Sequence, residues 1–304
     1  MTVQRIDTEF AGRRLLIETG RLAKQAAGSA VVQFGDTMVL AAVTVSPNVS
    51  ALPFFPLTVE YRERTYAAGK IPGGFLKREG RPSDKEILAS RLIDRSIRPL
   101  FPEGFKNEVQ VFVTVLSADQ ENDADILGAI GASVALSVSQ VPWNGPLAAV
   151  RIGRVDGNWI LNPTFQHLEA SSIDLVVSGS TDAIYMVEGG SLEISEAEML
   201  EALKVAQKGI KDLIALERKV IDKAAKPKME WVRPQPDEAV VARVRALAEN
   251  QMAKAINAKD KASRAQAVKK VKEEVLLQVA TEFPEKVKDA QAELDEIEYR
   301  VMRR

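Results

Sequence analysis

The sequence predicts an α+β domain followed by a small all-α domain. Runs of alternating apolar and polar residues mixed with capped helical segments fill the first part. The stretch KPKMEWVRPQPDE, which starts at Lys226, has three prolines and indicates a linker. No glycine follows Gly209, and positions 237–304 contain only two aromatic side chains. We therefore expect an α+β domain over residues 1–225, a linker over 226–236 and a helical domain over 237–304.

Most of the chain before Tyr61 has the composition of β-structure. GSAVVQFGDTMVLAAVTVS contains two β-rich runs, residues 29–34 and 37–46, and Gly35-Asp36 between them suits a tight hairpin turn. FFPLTVEY predicts a further strand that ends at Tyr61. EVQVFVTVLS, from Glu108, alternates with period two and predicts another strand.

Two capping boxes mark helix starts. Ser83 with Glu86 begins a helix that runs to about Ile97, and Ser195 with Glu198 begins a long one. Small residues over 123–139 predict a helix packed closely on a sheet. Three more strands are expected over 147–154, 173–178 and 183–187. The apolar face of the long helix is Met199, Leu203, Ala206, Ile210 and Leu213.

Two apolar stripes predict a bundle of about three helices in the last domain. One consists of Val268, Val271, Val275 and Val279, and the other of Val287, Leu294, Ile297 and Val301. Charged residues separate these positions, with 14 basic and 13 acidic residues after residue 236.

Composition excludes several classes of function. The 304-residue chain has no cysteine, which excludes disulfides and thiol nucleophiles, and its 46% hydrophobic share supports a folded core. Phosphate-loop, Rossmann and H-E-x-x-H patterns do not occur, and His167 is the only histidine. With neither a signal-peptide pattern nor an 18-residue apolar run, we expect a soluble cytoplasmic protein with no membrane partner.

Positive charge is concentrated in one segment. Between Tyr61 and Arg98 there are ten basic and five acidic residues, although the whole chain carries a formal charge of −1. Within it, GGFLKREGR joins glycines, the aromatic Phe75 and the cations Lys77, Arg78 and Arg81. Cations neutralise a nucleic-acid backbone and aromatic rings stack on bases, so single-stranded RNA or DNA is one interpretation. A solvated surface loop is the other.

Arg91, Arg95 and Arg98 follow at spacings of four and three, so they share one helix face. They are candidate phosphate or RNA contacts. Equally, they could pair with carboxylates such as Glu121 or Asp125. The acidic run DQENDAD, residues 119–125, is interpreted as the start of a helix, where negative charge is favoured and phosphate is repelled.

Several longer stretches of the sequence are similar to one known protein family. PLTVEYRERTYAAGKIPGGFLKREGRPSDKEILASRLIDRSIRPLFPEGF closely resembles the first core domain of the polynucleotide phosphorylase family. FGDTMVLAAVTVS, SADQENDADILGAIGAS and WNGPLAAVRIG resemble further blocks of that domain. The similarity runs in order over positions 1–220, and the tail resembles the helical linker domain of the family.

The resemblance implies a ribonuclease PH-like fold, of the ribosomal protein S5 domain 2-like type. It implies a phosphate-dependent 3′-to-5′ exoribonuclease of RNA degradation that needs Mg²⁺, releases nucleoside diphosphates and runs backwards as a polymerase. It also implies a homotrimeric ring whose central aperture is lined by the basic loop, and partners in RNA-degradation complexes. RNA contacts are expected at Phe75, Leu76, Lys77, Arg78 and Arg81, although the usual loop is Phe-Phe-Arg-Arg.

The same resemblance places catalysis outside this chain. The family's active site lies in a second ribonuclease PH-like domain, which is expected to begin near residue 304. Its D-x5-D-x-K pattern is matched here by Leu168, Asp174 and Val176, so only one of the three groups is kept. We expect no catalytic residue and no metal ligand in this chain, which guides RNA and builds the ring. A self-sufficient phosphorolytic enzyme and a non-catalytic assembly module are the alternatives.

Overall fold

The computed structural model describes residues 2–52, 54–233, 235 and 237–303. The chain divides into two compact units, Met1–Val232 and Arg233–Arg304. This division falls within the stretch predicted as a linker. The first part of that stretch is attached to the first unit, since the Lys228 ammonium donates to the carbonyl oxygens of Leu136, Ser137 and Ser139 at 2.9–3.1 Å.

A six-stranded sheet forms the first layer of the first unit. Its order is β1-β2-β3-β4-β6-β5, and every neighbouring pair is antiparallel except β5 with β6. The strands are β1 (Gln4–Phe10), β2 (Arg13–Thr19), β3 (Gly28–Phe34), β4 (Thr37–Val49), β5 (Leu57–Glu63) and β6 (Asn107–Ser117).

The sequence explains the pairing of these strands. The predicted hairpin between β3 and β4 is confirmed, because Phe34 pairs with Thr37 and Gly35 adopts a φ of +59° in the turn. Alternation in β6 places Val109, Val111, Val113 and Val115 in the core. One face of the sheet is therefore apolar, and helices cover it.

A four-stranded antiparallel sheet has the order β10-β9-β7-β8. Its strands are β7 (Ala148–Val155), β8 (Asn158–Leu161), β9 (Ile173–Gly179) and β10 (Ile184–Ser191). Strands β7, β9 and β10 confirm three expected strands within a few residues. The four-residue strand β8 was not predicted, because it is too short to show a period.

The helices described in this unit are α1 (Asp84–Ile97), α2 (Ala124–Val138), α3 (Phe165–Glu169) and α4 (Glu196–Ala224). Both predicted capping boxes are present, at Ser83 with Glu86 and at Ser195 with Glu198. All 15 residues of α2 are buried, because α2 packs against both sheets. Its small residues make that close approach feasible, as predicted.

The second unit contains α5 (Glu238–Ile256), α6 (Lys261–Glu282) and α7 (Val287–Arg303). Asp237 and Asp260 cap the first two helices. Its core is built largely from valine and alanine, and the valine stripe of α6 is buried as predicted. In the α7 stripe, Leu294 and Ile297 are buried and Val287 and Val301 half-buried. No helix in the described ranges is long and apolar enough to cross a membrane.

Candidate RNA interface and the acidic cluster

The basic loop, residues 69–82, lies between a 3₁₀ turn (Thr65–Ala68) and α1. Gly69 ends the turn with a φ of +67°, a conformation that glycine adopts without strain. A β-carbon added at Gly73, Gly74 or Gly80 would meet no atom within 4 Å. The loop is thus not packed against neighbouring elements along these residues.

The tip of the loop presents its aromatic ring and its charges to solvent. Phe75 is 98% exposed and Leu76 is 71% exposed. Lys77 has a φ of +49°, and its N–H donates to the carbonyl oxygen of Gly74 at 3.0 Å, closing a turn. Lys77, Arg78 and Arg81 are exposed. An exposed aromatic ring beside three exposed cations has the composition of a surface that binds single-stranded nucleic acid.

The base of the loop is held in place. Glu79 Oε1 accepts hydrogen bonds from the N–H of Thr65 at 2.9 Å and from its hydroxyl at 2.6 Å. These bonds lower the pKa of Glu79. Arg62 Nη2 donates to the carbonyl oxygen of Gly80 at 3.1 Å. Hydrogen bonds thus anchor Glu79 and Gly80, whereas Phe75 at the tip extends into solvent.

The two arginines of α1 and Arg98, which follows its last residue, are in different environments. Arg91 is exposed and has no ion pair in the part of the chain that the structure describes. Arg95 pairs with Glu188 at 2.6 Å. Arg98 contacts Asp94 at 2.8 Å and donates to the carbonyl oxygens of Phe55 and Leu57.

The alternative of pairing with carboxylates therefore holds for Arg95 and Arg98, but the named examples, Glu121 and Asp125, were wrong. Asp94 lies four residues before Arg98, one helical turn away, and Glu188 belongs to β10. The contacts of Arg98 are structural. Arg91 has the freest guanidinium of the three, and its contact with RNA stays a prediction.

A cluster of carboxylates surrounds Arg151 at the start of α2. Arg151 Nη2 lies 2.6 Å from Asp125 Oδ2 and 3.2 Å from Asp123 Oδ2, and Nη1 lies 2.8 Å from Asp174 Oδ1. Burial raises the pKa of Asp125 to about 6, partly offset by the charge of Arg151. Burial lowers the pKa of Arg151, but the three carboxylates outweigh it and raise the pKa overall.

The other acids of DQENDAD also stabilise the local structure. Asp119 Oδ1 accepts from the N–H groups of Glu121 and Asn122, both at 2.9 Å. Burial alone would raise the pKa of Asp119, but these backbone bonds outweigh it and lower the pKa to about 2. As interpreted from the sequence, the run leads into a helix, with Asp123 at the N-cap position of α2. Fixed negative charge here is unfavourable for phosphate.

Lys85 of α1 links Asp123 of this cluster to Glu63 at the end of β5. Its ammonium lies 3.0 Å from Glu63 Oε1 and 3.4 Å from Asp123 Oδ1. Tyr61 donates to the same Glu63 oxygen at 2.8 Å. A cavity of about 350 Å³ opens beside these groups, bordered also by Asn122 and Phe165.

The three positions compared above with the D-x5-D-x-K pattern, Leu168, Asp174 and Val176, do not form a metal site. Leu168 and Val176 have no ligand atoms, and Asp174 has both carboxylate oxygens within 2.9 Å of Arg151 Nη1. A magnesium ion takes oxygen ligands, and one carboxylate bound by a guanidinium does not supply them. The donor set at these three positions therefore does not fit the ion.

His167 has a local role. Its Nδ1 accepts from the N–H of Thr164 at 3.4 Å, completing a cap at the start of α3. Sequence reasoning missed Arg151, whose only signal is a charge inside the apolar run LAAVRIG. It also missed Lys85 and Glu63 as partners. Their meeting depends on how α1 packs beside β5.

Three family descriptions match successive parts of the chain. Residues 11–142 match domain 1 and residues 145–209 match domain 2 of the 3′ exoribonuclease family. Residues 239–304 match the RNA binding domain of polyribonucleotide nucleotidyltransferase.

Curated relatives are similar over almost the whole chain. A polyribonucleotide nucleotidyltransferase of Gemmatimonas aurantiaca is 60% identical over 99% of the chain, which spans 41% of that relative. One from Halalkalibacterium halodurans is 51% identical over 88% of the chain and 38% of its own length. The chain thus spans about two fifths of the relatives it matches.

A solved structure supports the fold. The crystal structure of rice (Oryza sativa) Rrp46 superposes with a TM-score of 0.56, covering 72% of this chain and 94% of that one. The sequences are 15% identical, so this likeness concerns the fold alone.

Proposed function

Because the chain belongs to the 3′ exoribonuclease family and corresponds to the amino-terminal part of polyribonucleotide nucleotidyltransferases, we propose that it serves RNA degradation. The whole protein degrades RNA from the 3′ end in the cytoplasm, using phosphate and Mg²⁺ and releasing nucleoside diphosphates. This part of it guides single-stranded RNA and builds a trimeric ring. The chemistry takes place in a core domain outside the chain.

The presentation of the basic loop is the observation that carries the proposal. Phe75 is almost fully exposed above a base held by Glu79 and Gly80. A base stacked on such a ring contributes about 1–3 kcal/mol, and this is insensitive to sequence. Lys77, Arg78 and Arg81 neutralise the phosphates that follow. Stacking and charge together hold a moving strand without reading its sequence.

The Arg151 cluster supports a non-catalytic role for this domain. In the active domain of the family, aspartates act on metal and substrate. Here Asp174 is held by Arg151, and Asp123 and Asp125 occupy the start of the helix. In this domain the aspartates are thus occupied by ion pairs with Arg151 and are not free to bind a metal ion or a substrate.

Ring assembly and membership in RNA-degradation complexes are the remaining parts of the proposal. In a trimer, three copies of the basic loop would line one aperture, so that the strand meets three rings and nine cations. Sedimentation of the chain, with and without RNA, tests whether this part is sufficient to trimerise.

The test of RNA guidance is the salt dependence of binding. The triple variant Lys77→Ala, Arg78→Ala and Arg81→Ala removes three phosphate contacts. It should flatten the slope of log affinity against log salt for a single strand by about 2. Removing three exposed lysines of α4, with Lys204→Ala, Lys208→Ala and Lys211→Ala, is the matched control and should leave the slope unchanged. Equal slopes for both variants would indicate an assembly module with a solvated loop.

The absence of catalysis is tested separately. The purified chain is incubated with a short single-stranded RNA, phosphate and Mg²⁺, and nucleoside diphosphates are measured. We expect binding without diphosphate release. The opposite result would be diphosphate release that co-purifies with the chain and is abolished by Asp174→Asn. That result would establish a self-sufficient phosphorolytic enzyme.

A further inference from the structure

An open groove runs between α6 and α7 in the second unit. Lys272 is the bridge between its two walls, since its ammonium lies 2.6 Å from Asp295 and 2.6 Å from Glu298 on α7. The groove encloses about 560 Å³. Its volume is within the range of sites that hold a ligand or a partner side chain.

The floor of the groove is aliphatic. Ala265, Val268 and Leu276 of α6 lie along it, with Ile256 of α5 and Met302 of α7 at its open end. Met302 is 60% exposed. The apolar residues of α6 that line the groove extend from Ala265 to Leu276, which is about 16 Å or three helical turns at 1.5 Å per residue. An apolar floor of this length matches a partner helix of about three turns.

The rim of the groove on α6 carries three cations, Lys261, Arg264 and Lys269, and one carboxylate, Glu273. Lys261 and Arg264 have no carboxylate at ion-pair distance within the described residues of the unit. Lys269 has only Glu273 at 3.8 Å, and both side chains are mostly exposed. An exposed pair of this kind contributes little, so the charge of Lys269 is available to a partner.

We propose that this groove binds an amphipathic helix with an acidic face, contributed by a partner protein. Apolar residues at i, i+4, i+7 and i+11 of that helix would fill the floor, and its glutamates or aspartates would meet Lys261, Arg264 and Lys269. Single-stranded RNA is the competing occupant. Among the described residues, the lining holds no aromatic ring for base stacking, and an aliphatic floor offers nothing to a phosphate backbone.

The test uses a designed 16-residue peptide with leucines at those four positions and glutamates beside them. Its affinity for the whole chain is measured by fluorescence anisotropy. Its location is read from the methyl resonance of Met302, assigned with Met302→Leu. We expect the acidic peptide to shift this resonance, and a peptide with lysine in place of glutamate to leave it unchanged.

Two neighbouring lysines provide a matched pair of variants. Lys269 lies on the rim, whereas Lys270 points away from it and pairs with Glu274 at 3.7 Å in the same manner. Lys269→Glu should weaken the peptide at least fivefold, and Lys270→Glu less than twofold. Both substitutions are on the exposed surface of a helix, and circular dichroism checks that α6 is intact.

Three results would overturn the proposal. One is no shift of the Met302 resonance at saturating acidic peptide. Another is an equal loss of affinity for Lys269→Glu and Lys270→Glu. The third is a shift produced by a short oligoadenylate but not by the peptide, which would assign the groove to RNA.

Discussion

Asp174 directs both carboxylate oxygens to one nitrogen of Arg151, at 2.8 and 2.9 Å. The same carboxylate is part of a closed set of ion pairs with Asp123 and Asp125 around one guanidinium. Both oxygens of Asp174 are therefore engaged by a structural partner within the first unit.

The first prediction concerns this cluster. Arg151→Met leaves the buried Asp125 without an ion-pair partner and Asp123 with Lys85 alone, and should lower the free energy of unfolding by about 3–5 kcal/mol. Asp174→Asn should lower it by less than about 1 kcal/mol, since Asp174 is half exposed and Arg151 keeps two partners. Urea unfolding of both variants measures the difference. Similar losses for the two would refute the view that Arg151 mainly neutralises Asp123 and Asp125.

The second prediction concerns pH and Glu217. Glu217 is fully buried, accepts one hydrogen bond from Ser133 at 2.9 Å, and has its other oxygen unpaired within the described part of the chain. Burial raises its pKa well above 4.5. The folded protein therefore keeps the proton on Glu217 to a higher pH than the unfolded chain does. The contribution of this proton to the free energy of unfolding is fully present below pH 4.5 and is lost as pH rises through the raised pKa.

Glu217→Gln cannot lose a proton, so its melting temperature should fall less than that of the unmodified chain as pH rises above 4.5. Thermal unfolding from acidic to mildly alkaline pH measures this difference. Glu198 provides the control of opposite sign. Hydrogen bonds from Arg154 and Ser195 lower its pKa to about 2, so its contribution is present above 4.5 and lost as pH falls towards 2. Glu198→Gln should therefore alter only the acidic side. An unchanged alkaline profile in Glu217→Gln would contradict the assignment of a protonated acid.

The third prediction separates stacking from charge in the basic loop. Phe75→Ala should weaken binding of a short single-stranded RNA by about 1–3 kcal/mol, with the salt slope unchanged. The melting temperature should not change, because Phe75 is 98% exposed. Phe54→Ala removes another exposed ring, 61% accessible, and serves as the control with unaltered affinity. A Phe75→Ala chain that binds normally would exclude base stacking at the tip.

The fourth prediction tests how closely α2 approaches the large sheet. A β-carbon at Gly28 would lie 2.1 Å from the backbone carbonyl oxygen of Ala135. Gly28→Ala should therefore destabilise the first unit by about 1–3 kcal/mol through overpacking. Gly190→Ala is the control, because open space surrounds that position. Equal urea midpoints for the two variants would show that the contact relaxes without cost.

Much of the fold follows from local patterns. The hairpin at Gly35-Asp36, the boxes at Ser83 and Ser195 and the valine stripe of α6 each depend on residues close together in sequence, and each was predictable. Strand β8 and helix α3 were not, since such short elements show too few repeats to reveal a period. The loop at Phe75 was also visible, because composition alone distinguishes an aromatic, glycine-flanked basic run.

Local patterns in the sequence were therefore enough to predict most of the helices and strands, the fold class and the basic loop with its aromatic residue. Which charges meet depended instead on the folded chain. Arg151, Asp123 and Asp174 are far apart in sequence, and the pairing of β7 with β9 and the packing of α2 bring them together. Ion pairs act over a few ångströms, whereas sequence patterns report only neighbours along one helix or strand. The partners of a charged side chain thus depend on how those elements pack.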